Sequence, residues 1–456
     1  MTKLTRANRW ALAAGLIGTA LIAGACDLKK ELLEPQQPGV ISPADIQSAT
    51  GADALYVGAL SRMKRALNGF SDAAFNWAGL FTDEFKSADT FSQRNDADQR
   101  NLQDNDALVT GIWRALEQGR GYARTAIVAL NQFEPEATTK IAEMYLDLGT
   151  LELTLGQEFC NGIPLGEIEN GQPVYTEPLT TAKVFNSAIA RFDSALTLLG
   201  SATDAASTSV RNAVLVQKAR AQLDLAQFAA AATTVAAVPT SFEYDLNYSN
   251  TTNDNQWWVL GPSIERYALG DSNETTGQVF NAIPFVSIND PRVPVHDYGK
   301  AGEDNQTPFI WTTRLDGRDD PLPLASGLDA RLIEAEAKLQ TSDFAGMMTI
   351  LNTLRTSGIA IGAFQVPKMP ALGTTPATKA AAADLLFREK AFWQFGRGFR
   401  MDDLRRLVRQ YGRAQDQVFP SGKFVKTGNY GSEVAFPVPD DEKTNPNFTG
   451  CIDRNA

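Results

Sequence analysis

Apolar residues spaced three and four apart dominate this chain from about residue 112 to 239, and the same spacing returns after residue 327. That period is one face of an α-helix, so segments 112–130, 141–159, 184–199 and 214–238 read as amphipathic helices. Segments 328–339, 344–354 and 380–395 share it. An earlier helix sets Leu55, Ala59, Leu60 and Met63 on one side and ends near Gly69; Ser42 as cap and Pro43 at the first helical position signal its start. Two breaks match each other. Leu225-Ala226-Gln227-Phe228 and Thr341-Ser342-Asp343-Phe344 each place small or polar residues ahead of a phenylalanine that opens the next helix. An aromatic in the seam of two antiparallel helices is the tetratricopeptide arrangement. The expected fold class is therefore mainly α, a tetratricopeptide-like α-superhelix.

Between residues 240 and 324 the helical period lapses, and Asn, Asp, Gly, Pro and aromatic residues accumulate. A structureless loop of that length does not suit a compact domain. It predicts an irregular, loop-rich lobe with short strands, laid over a helical scaffold of about 43–239 and 325–417. Residues 418–456 are rich in Gly and Pro and read as an extended C-terminal segment. Residues 94–101 look too polar to be core.

The N-terminus follows another pattern. Lys3, Arg6 and Arg9 precede an apolar run over residues 10–23, and small residues lead up to Cys26. Those fourteen residues fall short of the ~20 that span a bilayer. Residues 1–25 therefore read as a lipoprotein signal peptide, cleaved to leave Cys26 as the lipid attachment site. Two or three acyl chains would anchor the protein stably where one would not. Residues 26–42, with Glu34-Pro35-Gln36-Gln37-Pro38-Gly39, read as a tether, leaving 43–456 as a single domain. Residues 1–25 hold three basic and no acidic residues, so their loss takes the formal charge from −11 to −14. Such a surface repels phosphate backbones, and no nucleic-acid partner is expected. Cys160 and Cys451 are then the remaining cysteines. In an exported protein an even pair is expected to be bridged.

Catalytic readings find little support. The single histidine, His296, lies in Pro294-Val295-His296-Asp297 with no nucleophile motif. Cys and His residues at metal-ligand spacing are lacking, and Gly396-Arg397-Gly398 follows a helix and lacks a phosphate-loop lysine, so neither metal nor cofactor is expected. The acidic stretch 96–106 lacks the pattern of a calcium loop. The pairs Asp319-Asp320, Asp402-Asp403 and Asp440-Asp441 each consist of neighbours, which cannot flank a glycosidic bond from both sides. Arg397, Arg400, Asp402, Asp403, Arg405 and Arg406 read as a structural salt-bridge motif, with Asp402 in helical reach of Arg405 and Arg406. The better lead is aromatic. Trp257, Trp258, Tyr267, Tyr298 and Trp311 all fall in the irregular lobe and are candidate ligand-binding rings, because exposed rings stack on sugars. If residues 255–260 form a strand, Trp257 and Trp258 face opposite sides.

The order of features resembles the SusD/RagB family of outer-membrane nutrient-binding lipoproteins along nearly the whole chain. The similarity runs from Cys26 and its acidic, Pro-containing tether through Phe159-Cys160-Asn161-Gly162-Ile163-Pro164-Leu165 to Asp290-Pro291-Arg292. It continues in Arg331-Leu332-Ile333-Glu334-Ala335-Glu336-Ala337 and Leu351-Asn352-Thr353-Leu354-Arg355. Phe387-Arg388-Glu389-Lys390, the run from Gly396 to Arg406, and Phe436-Pro437-Val438-Pro439 before Asn445-Pro446-Asn447 complete it. The resemblance implies a non-catalytic protein, lipid-anchored at the cell surface. It would capture oligosaccharide or peptide and pass it to a SusC-like TonB-dependent transporter. The alternatives are a tetratricopeptide-type envelope scaffold and, less favoured, a lipid-anchored hydrolase. A pure scaffold has no need of an aromatic lobe interrupting its repeats.

Overall fold

Capped helices paired by close contact build the frame. The computed structural model describes residues 47–70, 72–169, 172–271 and 279–456. Cys26, the signal segment 1–25, the tether 26–42 and the Ser42 cap lie outside the described residues. The helices are α1 (Ala49–Asn68), α2 (Ala74–Phe81), α3 (Ser92–Asp98), α4 (Ala107–Phe133), α5 (Thr138–Glu158), α6 (Thr181–Leu199), α7 (Ala205–Asp224) and α8 (Phe228–Val235). After the lobe come α9 (Gly327–Gln340), α10 (Phe344–Ser357), α11 (Lys379–Trp393) and α12 (Arg400–Arg409). The fold is mainly α. Side-chain oxygens of Asp106, Asp204, Ser326, Asp343 and Thr378 accept from first-turn N–H groups of α4, α7, α9, α10 and α11. Each cap satisfies a donor the helix cannot pair itself.

The two matching breaks have one geometry. Ala226 and Ser342 both adopt left-handed φ, 57° and 61°. The next N–H groups, of Gln227 and Asp343, reach back to the carbonyls of Gln222 and Lys338 at 2.8 and 2.9 Å. That is a Schellman-type helix end, and Phe228 and Phe344 then pack partly buried into their hairpins. Between α5 and α6 the approach is closer still. A Cβ on Gly149 would lie 2.5 Å from the Phe192 ring, and one on Gly156 2.6 Å from Phe185.

The strands form two-stranded antiparallel pairs. β1 (Phe85–Ser87) pairs with β3 (Tyr267–Leu269), β2 (Glu243–Leu246) with β6 (Leu322–Ser326), and β4 (Val295–Ala301) with β5 (Pro308–Thr312). The β2–β6 pair brackets the irregular stretch and returns the chain to α9. Residues 255–260 are not a strand. The Asn255 side chain accepts from the Trp257 N–H, and a helical turn over Gln256–Trp258 widens through Val259–Ser263.

The largest hydrophobic cluster joins α1, α2, the lobe and the C-terminal segment. Phe436 donates its N–H to the Glu158 carbonyl and accepts from the Cys160 N–H, both at 2.8 Å. Its ring meets Trp77, Phe81 and Phe159 edge-on. Cys160 and Cys451 form a disulfide, their Cα atoms 6.0 Å apart. The polar run 94–101 corrects its sequence reading: Arg94, Asp98 and Arg100 are buried. Arg94 pairs with Asp72 at 2.9 Å and Asp89 at 2.6 Å, while Arg100 donates to the carbonyls of Glu433 and Pro420. Partners distant in sequence make these charges affordable inside.

Candidate ligand surface

The five candidate rings divide by burial. Trp257, Tyr267 and Trp311 are fully buried. Trp257 stacks on Phe85 at 4.2 Å and donates its indole N–H to the Gly396 carbonyl at 2.7 Å. Trp311 lies against Gly261, where a Cβ would come within 2.3 Å of its ring. These three are core residues, and solvent-borne ligand has no access to them. Trp258 and Tyr298 reach the surface.

Tyr298, 38% exposed, stands on β4 with His296 and Lys300 two residues either side. The His296 ring meets it edge-on at 4.5 Å, and Phe309 of β5 supports it from below at 4.8 Å. The Lys300 ammonium lies 6.0 Å from the ring centre and donates to Glu265 at 2.6 Å. Asp316 follows on the next loop: burial pushes its carboxyl up against the opposing pull of His296, and its Oδ1 is enclosed without a hydrogen-bond partner among the described residues. Two positions on, the Arg318 guanidinium sits 5.1 Å over the Trp258 ring and donates to Asp254 at 2.7 Å. The loop 316–320 thus serves both rings. Aromatic faces flanked by charged side chains suit a polyhydroxylated ligand.

His296, Lys300, Asp316 and Arg318 were not among the sequence candidates. Alternation along β4 relates His296 to Tyr298 only as far as Asp297, where the register of the pair shifts, and nothing local in the sequence marks Lys300, Asp316 or Arg318.

The Arg/Asp run is buried and structural. Arg397 forms a two-pronged pair with Asp329 and donates to the Pro323 carbonyl at 2.8 Å. Arg400 donates to the Thr82 carbonyl at 3.2 Å. Glu336 receives Lys390 at 3.2 Å, Tyr411 at 2.7 Å and Arg406. Burial alone would raise the Glu336 carboxyl, but Arg406 and Lys390 outweigh it and hold it at about 2. Asp403 pairs with Lys390 and, at 3.6 Å, with Arg406. Asp402 departs from the expected partners: its ion pair is with Arg409 at 3.7 Å, while Arg405 donates to the carbonyls of Gly156, Gln157 and Phe159. Arg405 projects toward the end of α5, where its Nη1 is engaged.

No protein-family model matches the chain, and neither does any curated protein. Solved structures do. A laminarin-binding SusD-like protein superposes with TM-score 0.64 at 14% identity, over 89% of this chain and 99% of its own. The chain has the SusD-like fold. A SusD-like carbohydrate-binding protein from Bacteroides vulgatus gives TM-score 0.62 at 13% identity, over 88% of this chain and 97% of its own. A SusD/RagB family protein from Bacteroides thetaiotaomicron gives 0.60 at 12%, over 87% and 94%. In this SusD-like fold no helix among the described residues is long and apolar enough to cross a membrane.

Proposed function

We propose that this chain is a member of the SusD/RagB group, a non-catalytic binding lipoprotein that captures an oligosaccharide, or a peptide, at the cell surface. Lipid on Cys26 would hold it at the outer membrane, where it passes its ligand to a SusC-like TonB-dependent transporter. The observation that carries the reading is the Tyr298 surface. A SusD-like frame presents the exposed Tyr298 ring on its β4–β5 hairpin and the half-buried Trp258 beside Arg318. Solved proteins of this fold include ones described as binding laminarin and carbohydrate. The Asp402-Asp403 pair gives a hydrolase no support, since both are buried and engaged in the scaffold.

The test is a glycan and peptide array probed with wild type, Tyr298→Ala and Trp258→Ala, together with purification of the native complex from membranes. Binding lost in both variants and a co-purifying β-barrel transporter are expected. Undiminished binding in both would remove the Tyr298 surface from the proposal.

A further inference from the structure

Arg405 is a buried cation that forms no ion pair among the described residues. It is 1% exposed, its Nη1 is committed to three carbonyls, and its Nε has no partner. The acids around it are otherwise engaged. Asp224 takes Gln157 at 2.8 Å and Arg409 at 3.5 Å. Burial and the neighbouring Asp224 push Asp402 well up, against Arg406 and Arg409. Burial likewise pushes Glu158 up to about 8 against Arg220 and Arg405. Arg405 is thus met by carbonyls, with Asp224, Asp402 and Glu158 nearby and none of them at ion-pair distance among the described residues.

Arg405 lines a cavity of about 350 Å³, together with Arg409, Asn161, Thr181, Ala182 and Asp224. This volume lies at the small end of small-molecule sites. At its rim is the N-terminus of α6, nineteen residues long, whose cap residue Thr180 makes no side-chain bond to the helix. The positive end of the helix dipole thus adds to the two guanidinium groups. The wall is fixed. Asn161 accepts from the Thr181 N–H at 3.0 Å and donates to Asp453 at 2.7 Å, and its carbonyl receives the Ile452 N–H at 2.8 Å. The disulfide at Cys451 holds the same segment.

We propose that this cavity is a binding site for a small organic monocarboxylate, its head received by Arg405 and Arg409 beside the start of α6. Asp224 and Asp453 at the same cavity repel a multiply charged anion and accept a hydrogen bond from the ligand. They select a carboxylate that carries a donor, as a hydroxy acid or an amino acid does. The site shares no residue with the Tyr298 surface and does not depend on the proposed function.

Isothermal titration of the full chain at constant ionic strength tests it, with glycolate, glycine and inorganic phosphate as probes and sodium chloride as reference. Saturable binding of glycolate or glycine, tighter than phosphate, is expected. Arg409→Gln removes a charged donor and should weaken it by about tenfold or more. Ala182 is exposed, so Ala182→Glu should fold normally and abolish binding by placing a carboxylate at the rim. Arg405→Gln should also lose binding; because it also ends α5, its melting curve is read beside it. Tyr298→Ala should bind the probe as wild type does. Absence of saturable binding by all three probes, tighter binding of phosphate, or binding untouched by both Arg409→Gln and Ala182→Glu would each overturn the assignment.

Discussion

Arg397 and Asp329 lie 68 positions apart in the chain and meet through two parallel hydrogen bonds of 3.0 and 2.7 Å, with neither side chain more than 1% exposed. The pair ties the segment before α12 to the first turn of α9. A planar fork is needed to make both bonds, so lysine is no substitute. We expect Arg397→Lys to destabilise by about 3 kcal/mol or more, because it leaves a buried carboxylate poorly paired. Urea unfolding at pH 7 measures it, and a loss below about 1 kcal/mol would show that the pair is not what holds these segments.

Glu336 sets an acid limit. Its ordinary value is 4.5 and the fold holds it at about 2. A depressed acid stabilises the folded state above its unfolded value, and that contribution fades as pH falls from 4.5 toward 2. Glu336→Gln should lose this dependence and also weaken the fold at pH 7 by about 3–5 kcal/mol, since Lys390 and Arg406 lose their shared partner. Chemical denaturation at a series of pH values gives both numbers.

Glu84 works in the opposite direction. Burial raises it from 4.5 to about 7 against the pull of Arg400. The folded state favours its neutral form, so its contribution is complete below pH 4.5 and is lost as pH rises through about 7. Glu84→Gln should flatten the stability profile across that window. An unchanged slope in the variant would show that Glu84 is not the group responsible.

Neighbouring rings should separate in their phenotypes. Trp311→Ala and Trp257→Ala empty core positions and should each cost about 3–5 kcal/mol. Tyr298→Ala should cost under about 1 kcal/mol while removing ligand capture. Thermal melts run beside array binding distinguish the two classes.

Cys451→Ser should destabilise by about 2–5 kcal/mol, because it frees the C-terminal segment from a loop of 291 positions. The melting temperature of the wild type should fall on reduction, and that of the variant should not respond to reductant.

The helical frame was legible because its information is local. Apolar spacing marks each helix, and the equivalence of Ala226 and Ser342 is visible as two similar breaks before phenylalanine. Burial of particular side chains was not local. Trp257 and Trp258 are adjacent in the chain, yet a carbonyl 139 positions away, on Gly396, receives one indole, while Arg318 covers the other at the surface. Arg94 and Arg100 read as solvent-facing until Asp72, Asp89 and the carbonyl of Glu433 arrive to meet them. Similarly, Asp402 has Arg405 within helical reach, but the end of α5 claims that side chain first.

The bridging of Glu158 and Cys160 by Phe436 also sets a timetable. The largest core holds Met63 and Phe448 together, so a chain that emerges N-terminus first cannot complete that core until residues 418–448 appear. Contacts this distant in sequence form late. The helical hairpins hold local contacts and can assemble early, but the seam at the end of α5 closes only when Phe436 packs against Glu158 and Cys160.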